Sequence, residues 1–468
     1  MNSNETAKRG SFTSSVGFVL AAAGSAIGLG NIWRFPYLAA KDGGGIFLVI
    51  YIVLALTFGF TLIVTEVSLG RKTRQSCLTA YGVLDKRGGW IGVFASLVPF
   101  LILPYYSIIG GWVLKYTTVY LTGGGSKAAQ DGFFGGFITS QFSPLVFDII
   151  FMLATALVIY MGVNGGIERL SKILMPILLV VVVFIAVFSL TIKGEDGRTG
   201  LEGFKVFVVP DFSALTAKTL FITVLDAMGQ LFYSISVAMG IMVTYGSYFK
   251  DESNLLKSVN RIEFFDTLVA FLAGVMIIPP VYAFMGTETM KNTAGPSLMF
   301  VALPKVFEQM GTVGSVVGAV FFIMVLFAAL TSCISILEAV VSGLMDKFGW
   351  SRRKAVIVET TVATIISVII CLGYNVFYFE AKLPNTAADS SAQLLDVFDY
   401  LSNNIFMPVV AIGTCILVGW IAKPKSIIDE ATKNGEKFTR KHLYIVMIKY
   451  VTPVLLFVLL LGSFGIFS

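Results

Sequence analysis

The sequence has very little that could perform acid–base or metal chemistry. Its 468 residues include one histidine and four cysteines, and only 13% of them are charged. The cysteines lie singly in or beside apolar segments, without the paired spacing of a zinc site or a disulfide framework. His442 stands alone in a basic loop, which excludes Ser/His, Cys/His and multi-histidine mechanisms. We therefore expect a protein that is not an enzyme.

Long polar stretches are also missing. Hydrophobic residues make up 56% of the chain, and the apolar runs repeatedly exceed the ~20 residues that a helix needs to cross a bilayer. The first run follows a short polar start and leads into another span, so it is not a cleaved signal peptide. Hydropathy and helix-breaker signals predict an all-α integral membrane protein of about eleven spans, at 15–37, 43–70, 90–122, 144–162, 170–192, 218–247, 258–286, 313–345, 354–373, 394–422 and 444–467.

The positive charges indicate an orientation. The net charge is +6, but Lys and Arg are scattered over short loops, so we expect no nucleic-acid partner. With a cytoplasmic N-terminus, and with residues toward a span end counted on the adjoining side, 22 of the 34 Lys and Arg residues lie inside and 10 outside, while Arg34 and Lys449 are counted within spans. The positive-inside rule therefore predicts a cytoplasmic N-terminus and an external C-terminus.

Two predicted spans carry residues that interrupt a helix. The stretch "AAAGSAIGLGNIWRFPY" (21–37) has three glycines and a proline, and "LFYSISVAMGIMVTYGSY" (231–248) places two serines and Gly240 at mid-membrane depth. The spacing Gly24-xxx-Gly28 is by itself equally typical of helix packing. Two weakened helices five spans apart are what an inverted repeat of five plus five helices produces, each break exposing carbonyls for cations and a helix N-terminus for a carboxylate. We therefore predict a binding site built from backbone.

Four motifs carry a resemblance. "GSAIGLGNIWRFPYLAAKDGGGIFLVIY", "GQLFYSISVAMG", "NTAGPSLMFVALP" and "FAALTSCISILEAVVSGLMD" together resemble the neurotransmitter:sodium symporter family, and within it the bacterial amino-acid transporters. The resemblance implies a LeuT-type 5+5 inverted repeat with discontinuous helices 1 and 6, located in the bacterial inner (cytoplasmic) membrane. It divides the chain into a cytoplasmic N-terminus (1–14), a first repeat (15–192), a second repeat (218–422), and helix 11 with the C-terminus (444–468). A homodimer is a candidate assembly.

The resemblance also implies two sodium sites as the protein's ion requirement. The first sodium site would use Ala26, Asn31, Ser234 and Asp266, where the family often has asparagine in place of the aspartate. The second would use the carbonyls of Gly24, Ile27 and Ala328 with the hydroxyls of Thr331 and Ser332. Oxygen ligands suit a hard cation. In a lone apolar helix, however, Thr331 and Ser332 would more often bond to carbonyls of their own helix.

The substrate carboxylate would lie on the sodium ion beside Asp266, on helix-terminal amides and on a tyrosine hydroxyl. The implied substrate-binding residues are Ala26, Gly28, Leu29, Gly30, Ile102, Tyr106, Tyr233, Ser234, Ser236, Met239, Ser332 and Ile336. Amine carriers that resemble this chain have an aspartate at the position of Gly28, so here the ligand must bring its own carboxylate. Met239 replaces a phenylalanine of small-aliphatic carriers and leaves more room. We expect a hydrophobic or aromatic L-amino acid, with tyrosine or tryptophan ahead of leucine.

Intramembrane charges need partners. The resemblance pairs Arg34 with Asp396 as the outer gate, with Asp399 as the rival partner, and Arg9 with Asp346 as the inner gate, where Phe12 replaces the usual tryptophan. Glu66 resembles the glutamate that accepts hydrogen bonds from the unwound segments; a charge snorkelling to the inner face is the alternative.

One position bears on chloride. Eukaryotic members hold chloride near the first sodium through a serine one turn after the span-seven asparagine, and here those positions are Asp266 and Ala270. The resemblance thus implies sodium-coupled symport without chloride, and Asp266 could take a proton on the empty return step. The alternatives are a proton- or sodium-coupled carrier of another family with the same fold, and a non-transporting sensor or enzyme.

Overall fold

The computed structural model describes residues 10–194, 196–213, 215–293, 295–384 and 391–467, without the side chains at 287 and 289–292. Within these ranges the chain is helical, and strand pairing is limited to three isolated bridges. In the part of the chain that the structure describes, nine helices are long and apolar enough to cross a membrane, at Gly45–Thr73, Lys86–Leu121, Ser143–Tyr160, Val163–Leu190, Leu255–Gly286, Gly311–Phe348, Arg352–Leu372, Leu394–Ile421 and Lys441–Ser463.

Two broken helices occupy the first and the sixth predicted spans. Ser15–Ala26 and Gly30–Lys41 together form a tenth span, bent by 52°. Ala217–Ser234 and Ile241–Ser247 occupy the sixth predicted span, but a longer interruption separates them, so they do not qualify as one span by length and composition. We number the spans in chain order as helices 1 to 11, with halves 1a, 1b, 6a and 6b.

The break in helix 1 follows from its sequence. Helix 1a begins after Ser14, whose Oγ accepts a hydrogen bond from the Gly17 N–H at 3.1 Å, and ends at Ala26. Ile27 then leaves the helical conformation, with φ −78° and ψ 80°. Close packing reinforces the choice of Gly28, since a Cβ there would lie 2.9 Å from Ser332 Oγ.

The break in helix 6 is held open by a carboxylate. Ser236, Ala238 and Gly240 have positive φ angles of 54°, 59° and 73°. For the two non-glycine residues this conformation costs about 1–3 kcal/mol each and persists only where the surroundings impose it. The Ala238 N–H donates to Glu66 Oε1 of helix 2 at 2.6 Å, and Glu66 is buried. This contact supports the predicted role of Glu66 over the snorkelling alternative.

Loop helices cover both ends of the bundle. On one side, Leu298–Ala302 packs on helices 1b and 3, where the Tyr116 hydroxyl donates to the Phe300 carbonyl at 2.8 Å and the Trp33 and Phe300 rings are 6.4 Å apart. On the opposite side, Lys425–Ala431 is tied to helix 2 by an ion pair of 2.7 Å between Arg71 Nε and Glu430 Oε1. The two helix breaks lie between these covers.

Candidate substrate and sodium sites

One cavity lies where the two helix breaks meet helices 3 and 8. All twelve residues predicted to bind substrate line it, and Ser25, Asn31 and Ile241 line it as well. The empty space between them is ≈ 370 Å³. The lining residues come from four helices far apart in the sequence, and none of them is charged at neutral pH. The cavity therefore suits a ligand whose charges are met by backbone, hydroxyl groups and bound ions.

One wall of the cavity carries groups that suit a carboxylate ligand. Leu29 and Gly30 open helix 1b, whose N-terminus carries partial positive charge. The Tyr106 hydroxyl is buried and makes no hydrogen bond of good geometry within the protein. Since a buried hydroxyl without a partner is costly, this group is available to a ligand. At Gly28 a side chain would intrude, because its Cβ would lie 3.3 Å from the Tyr106 hydroxyl.

The predicted ligands of the first sodium form one buried cluster beside this wall. The Ser234 hydroxyl lies 2.6 Å from Asn31 Oδ1 and donates to Asp266 Oδ1 at 2.5 Å. The Asn31 amide also donates to Asp266 Oδ1, at 2.9 Å. Ala26, the fourth predicted ligand, is buried in the adjoining cavity wall. Side-chain oxygen atoms from helices 1, 6 and 7 thus lie close together at one position.

The Asp266 carboxylate has no basic partner in the described ranges. Its partners are Asn31, Ser234 and the Tyr51 hydroxyl at 3.3 Å, and it is 1% exposed. An ionised carboxylate at that depth is expensive without a compensating cation. A hard cation with oxygen ligands supplies this compensation, so the donor set fits sodium. Tyr51 was not foreseen from sequence; its only signal was a polar aromatic residue in the apolar run of helix 2.

The second predicted sodium site lies where helix 1a meets helix 8. Ser332 Oγ is 3.0 Å from the Ser25 carbonyl and 3.4 Å from the Gly24 carbonyl, so this hydroxyl reaches across to helix 1. Thr331 instead donates to carbonyls of its own helix, Phe327 at 3.0 Å and Ala328 at 3.1 Å. Gly24 lies against helix 8, since a Cβ there would lie 3.4 Å from Thr331 Cβ, and Ile27 and Ala328 are buried. Thr331 keeps the within-helix bond typical of threonine.

The outer charged residues are arranged differently from the expected pairing of Arg34 with Asp396. Asp396 caps helix 10, where its Oδ2 accepts from the Gln393 N–H at 2.8 Å. Asp399, one turn deeper, interacts electrostatically with Arg34 and accepts from Asn403 Nδ2 at 2.7 Å. The capping bond holds Asp396 at the start of the helix, so the geometry favours the rival partner, Asp399.

At the inner side, Arg9 lies outside the described residues. Its predicted partner Asp346 accepts a hydrogen bond from the Ser76 N–H at 2.6 Å. Phe12, in place of tryptophan, is fully buried against an aromatic cluster, with ring centroids 5.7 Å from Tyr245 and 6.3 Å from Tyr248. The smaller ring therefore still anchors the N-terminal segment.

Sequence reasoning also missed Gln230. Its Nε2 donates to the Gly30 carbonyl at 3.1 Å and so joins helix 6a to the start of helix 1b. Ser25 and Ser236 make a second bond between the two breaks, with their hydroxyls 3.0 Å apart. A glutamine one turn before the predicted break was the only sequence signal. These bonds couple the two unwound segments around the cavity.

An uncharged cavity between two broken helices, flanked by two clusters of oxygen donors, is the arrangement of a secondary transporter with the LeuT fold. The sequence matches the sodium:neurotransmitter symporter family over residues 9–125 and 139–467. It is 32% identical to the uncharacterized sodium-dependent transporter YhdH of Bacillus subtilis, covering 98% of both chains. It is 32% identical to MJ1319 of Methanocaldococcus jannaschii, an uncharacterized sodium-dependent transporter, over 92% of this chain and 85% of that one.

A solved structure agrees with this assignment. The crystal structure of MhsT in complex with L-phenylalanine superimposes with a TM-score of 0.83 at 33% identity, covering 97% of this chain and 100% of that one. The protein belongs to the sodium:neurotransmitter symporter family. It is therefore a multi-pass, sodium-dependent transporter, which confirms the family and the fold expected from the motifs.

Proposed function

We propose that the protein imports a neutral, hydrophobic or aromatic L-amino acid across the bacterial inner membrane by alternating access. Two sodium ions accompany each substrate, no chloride is needed, and the N-terminus is cytoplasmic. One observation carries the proposal: an uncharged cavity adjoins the buried Asp266 carboxylate, which has no basic partner in the described ranges. Sodium ions compensate the negative charge of Asp266, and the uncharged cavity beside it suits a zwitterionic substrate.

The substrate class follows from the cavity wall. The amides that open helix 1b, the free Tyr106 hydroxyl and the ion beside Asp266 suit a carboxylate. With no charged residue in the lining, a charged substrate side chain would be buried unpaired. Ile102, Met239 and Ile336 instead offer apolar contact, and the thioether adapts to large groups. MhsT, whose structure holds L-phenylalanine, supports an aromatic substrate.

The proposed coupling of sodium to substrate transport rests on the helices that each ion joins. Sodium at Asn31, Ser234 and Asp266 links helices 1, 6 and 7 and completes the substrate site beside it. Sodium between helix 1a and Ser332 of helix 8 holds the inner half closed, so its release frees helix 1a to move. The membrane potential contributes about 2.3 kcal/mol per charge per 100 mV, so two ions can concentrate a neutral substrate strongly.

Chloride independence rests on the same carboxylate. Asp266 brings a fixed negative charge to the first sodium site, and Ala270, one turn further on, is buried and has no hydroxyl to hold an anion. The fixed charge takes the place of a bound chloride. When sodium leaves, the carboxylate loses its counter-ion, and protonation on the return step would carry a proton outward.

The test is uptake by the purified protein in proteoliposomes. Labelled L-tyrosine is presented under an inward sodium gradient, with the sodium replaced by N-methylglucamine in one arm and the chloride by gluconate in another. We expect accumulation only with sodium, at the same rate in gluconate. Competition by all twenty amino acids ranks the substrates, with tyrosine and tryptophan ahead of leucine. Best competition by alanine or glycine contradicts the aromatic preference, and no accumulation above equilibrium contradicts transport itself.

A further inference from the structure

A second cavity lies at the end of helix 1b, outside the substrate site. It contains ≈ 750 Å³ of empty space, and its polar lining includes Lys41, Asp42, Asp211, Thr219 and Thr223. Helix 1b, the loop before helix 6 and helix 6a meet here. In the proposed orientation the cavity faces the external solution, at the contact between the outer halves of the two broken helices.

Two carboxylates share one ammonium group at this contact. Lys41 Nζ lies 2.8 Å from Asp226 Oδ2 of helix 6a and 3.8 Å from Asp42 Oδ1. The Lys41 and Asp226 side chains are partly exposed, whereas the Asp42 side chain is only 7% exposed. With both acids ionised, Lys41, Asp42 and Asp226 together carry a net charge of −1. Asp42 is the most deeply buried of the three.

The buried oxygen of Asp42 lacks a partner. Asp42 Oδ2 is inaccessible to solvent and accepts no hydrogen bond, although the Asp42 carboxyl lies within hydrogen-bonding reach of Asp226. Two ionised carboxylates repel each other, and neither can donate; one proton between them turns the contact into a hydrogen bond. In the described part of the chain, no cluster of three acidic, histidine or cysteine groups could hold a metal ion instead.

We propose that Asp42 and Asp226 form a proton-binding site that takes one proton from the external solution and thereby links helix 1b to helix 6a. The hydrogen bond crosses between the outer halves of the two discontinuous helices, next to the Lys41–Asp226 ion pair. Loss of the proton replaces an attraction by a repulsion at this contact. External pH therefore acts on transport at a place distinct from the substrate and sodium sites.

The surrounding charges set the pH range. Burial, followed by the charge of Asp226, raises the pKa of Asp42 to about 7, against the opposing effect of Lys41. The other titratable groups facing the site are Tyr37, on helix 1b near Lys41, and Asp211, in the loop before helix 6. The pair holds its proton below this pKa and loses it above, so we expect the contact to loosen and uptake to slow as external pH rises.

Infrared spectroscopy tests the proton directly and requires no substrate. Difference spectra of the reconstituted protein between about pH 6 and about pH 8 report the carbonyl stretch of protonated carboxylic acids. With a pKa of about 7, the protonated fraction falls from roughly nine-tenths to roughly one-tenth over this range. We expect a component of this band in the wild type that disappears in Asp42→Asn and is retained in Asp211→Asn. The last variant removes an acid from the same cavity and serves as the matched control.

Uptake of labelled L-phenylalanine tests the consequence. With the internal pH fixed, raising the external pH from about 6 to about 8 slows wild-type uptake several-fold, in parallel with the roughly ninefold fall in the protonated fraction. Asp211→Asn keeps this dependence, and Asp42→Asn loses it, because its amide donates permanently to Asp226. If Asp42→Asn removes no component of the band, the site is overturned, as it is by an unchanged pH profile of uptake in that variant. If phenylalanine is not transported, only the proposed substrate fails, and the infrared comparison still decides the proton site.

Discussion

Replacement of Asp266 by asparagine removes the charge from the first sodium site and leaves its shape. An asparagine oxygen can still accept from Ser234 and Asn31, which lie 2.5 Å and 2.9 Å from Asp266 Oδ1. At an effective dielectric of about 20 and an ion–oxygen distance of about 2.4 Å, one unit charge is worth about 7 kcal/mol. Truncating one member of a buried charge pair costs about 2–5 kcal/mol in practice, because solvation offsets part of the loss.

The expected result is a large and specific loss of sodium affinity. A cost of about 2–5 kcal/mol corresponds to a ~30- to ~5,000-fold weaker sodium dependence of substrate binding. Asp148→Asn is the matched control, since Asp148 is another buried aspartate without a basic partner in the described ranges, held by Ser107 at 2.6 Å and Ser367 at 2.7 Å, and does not line the substrate cavity. We expect it to leave sodium affinity within about threefold of the wild type.

Uptake measured with and without chloride distinguishes loss of the negative charge at the first sodium site from loss of the structure of that site. Asp266→Asn combined with Ala270→Ser recreates the asparagine and serine of the chloride-dependent members. Uptake by the wild type is expected to be indifferent to chloride, the single variant to be poor, and the double variant to recover in part when chloride is present. Sodium affinity unchanged in Asp266→Asn, or a wild type that stops in gluconate, would refute the assignment of Asp266 as a sodium ligand that replaces chloride.

Three further outcomes are expected. Asp399→Asn lowers the initial uptake rate more than Asp396→Asn while sodium binding is retained, because Asp399 faces Arg34; equal losses contradict this pairing. Glu66→Ala lowers thermal stability in detergent by about 1–3 kcal/mol because it leaves a buried N–H unpaired, and Glu66→Gln lowers it less; equal melting temperatures for these two variants would count against the hydrogen bond. Met239→Phe reduces the volume of the cavity and shifts the strongest competition from tryptophan toward leucine. An unchanged ranking of competitors would show that Met239 does not determine the substrate preference.

Hydropathy and helix-breaking residues were enough to predict the membrane class, the spans and the two breaks. Apolar runs long enough to cross a bilayer leave few alternatives to helices, because every backbone group must be satisfied within the segment. Glycine at 28 and 30 and the serines after 233 marked where this regularity fails. The motifs around these breaks indicated the family, and the twelve residues they implied for the substrate lie around one cavity.

The contacts between side chains of different helices could not be predicted from the sequence. Whether Asp396 or Asp399 pairs with Arg34 depends on the rotation and capping of helix 10. The two positions are three residues apart, so the sequence does not distinguish them. Tyr51 reaches the sodium site from another helix and Gln230 reaches helix 1b from one turn before the break, and each had only a weak sequence signal. The contact between Asp42 and Asp226 joins residues far apart in the chain. Such contacts are set by helix packing, because hydropathy and motif spacing describe each helix alone.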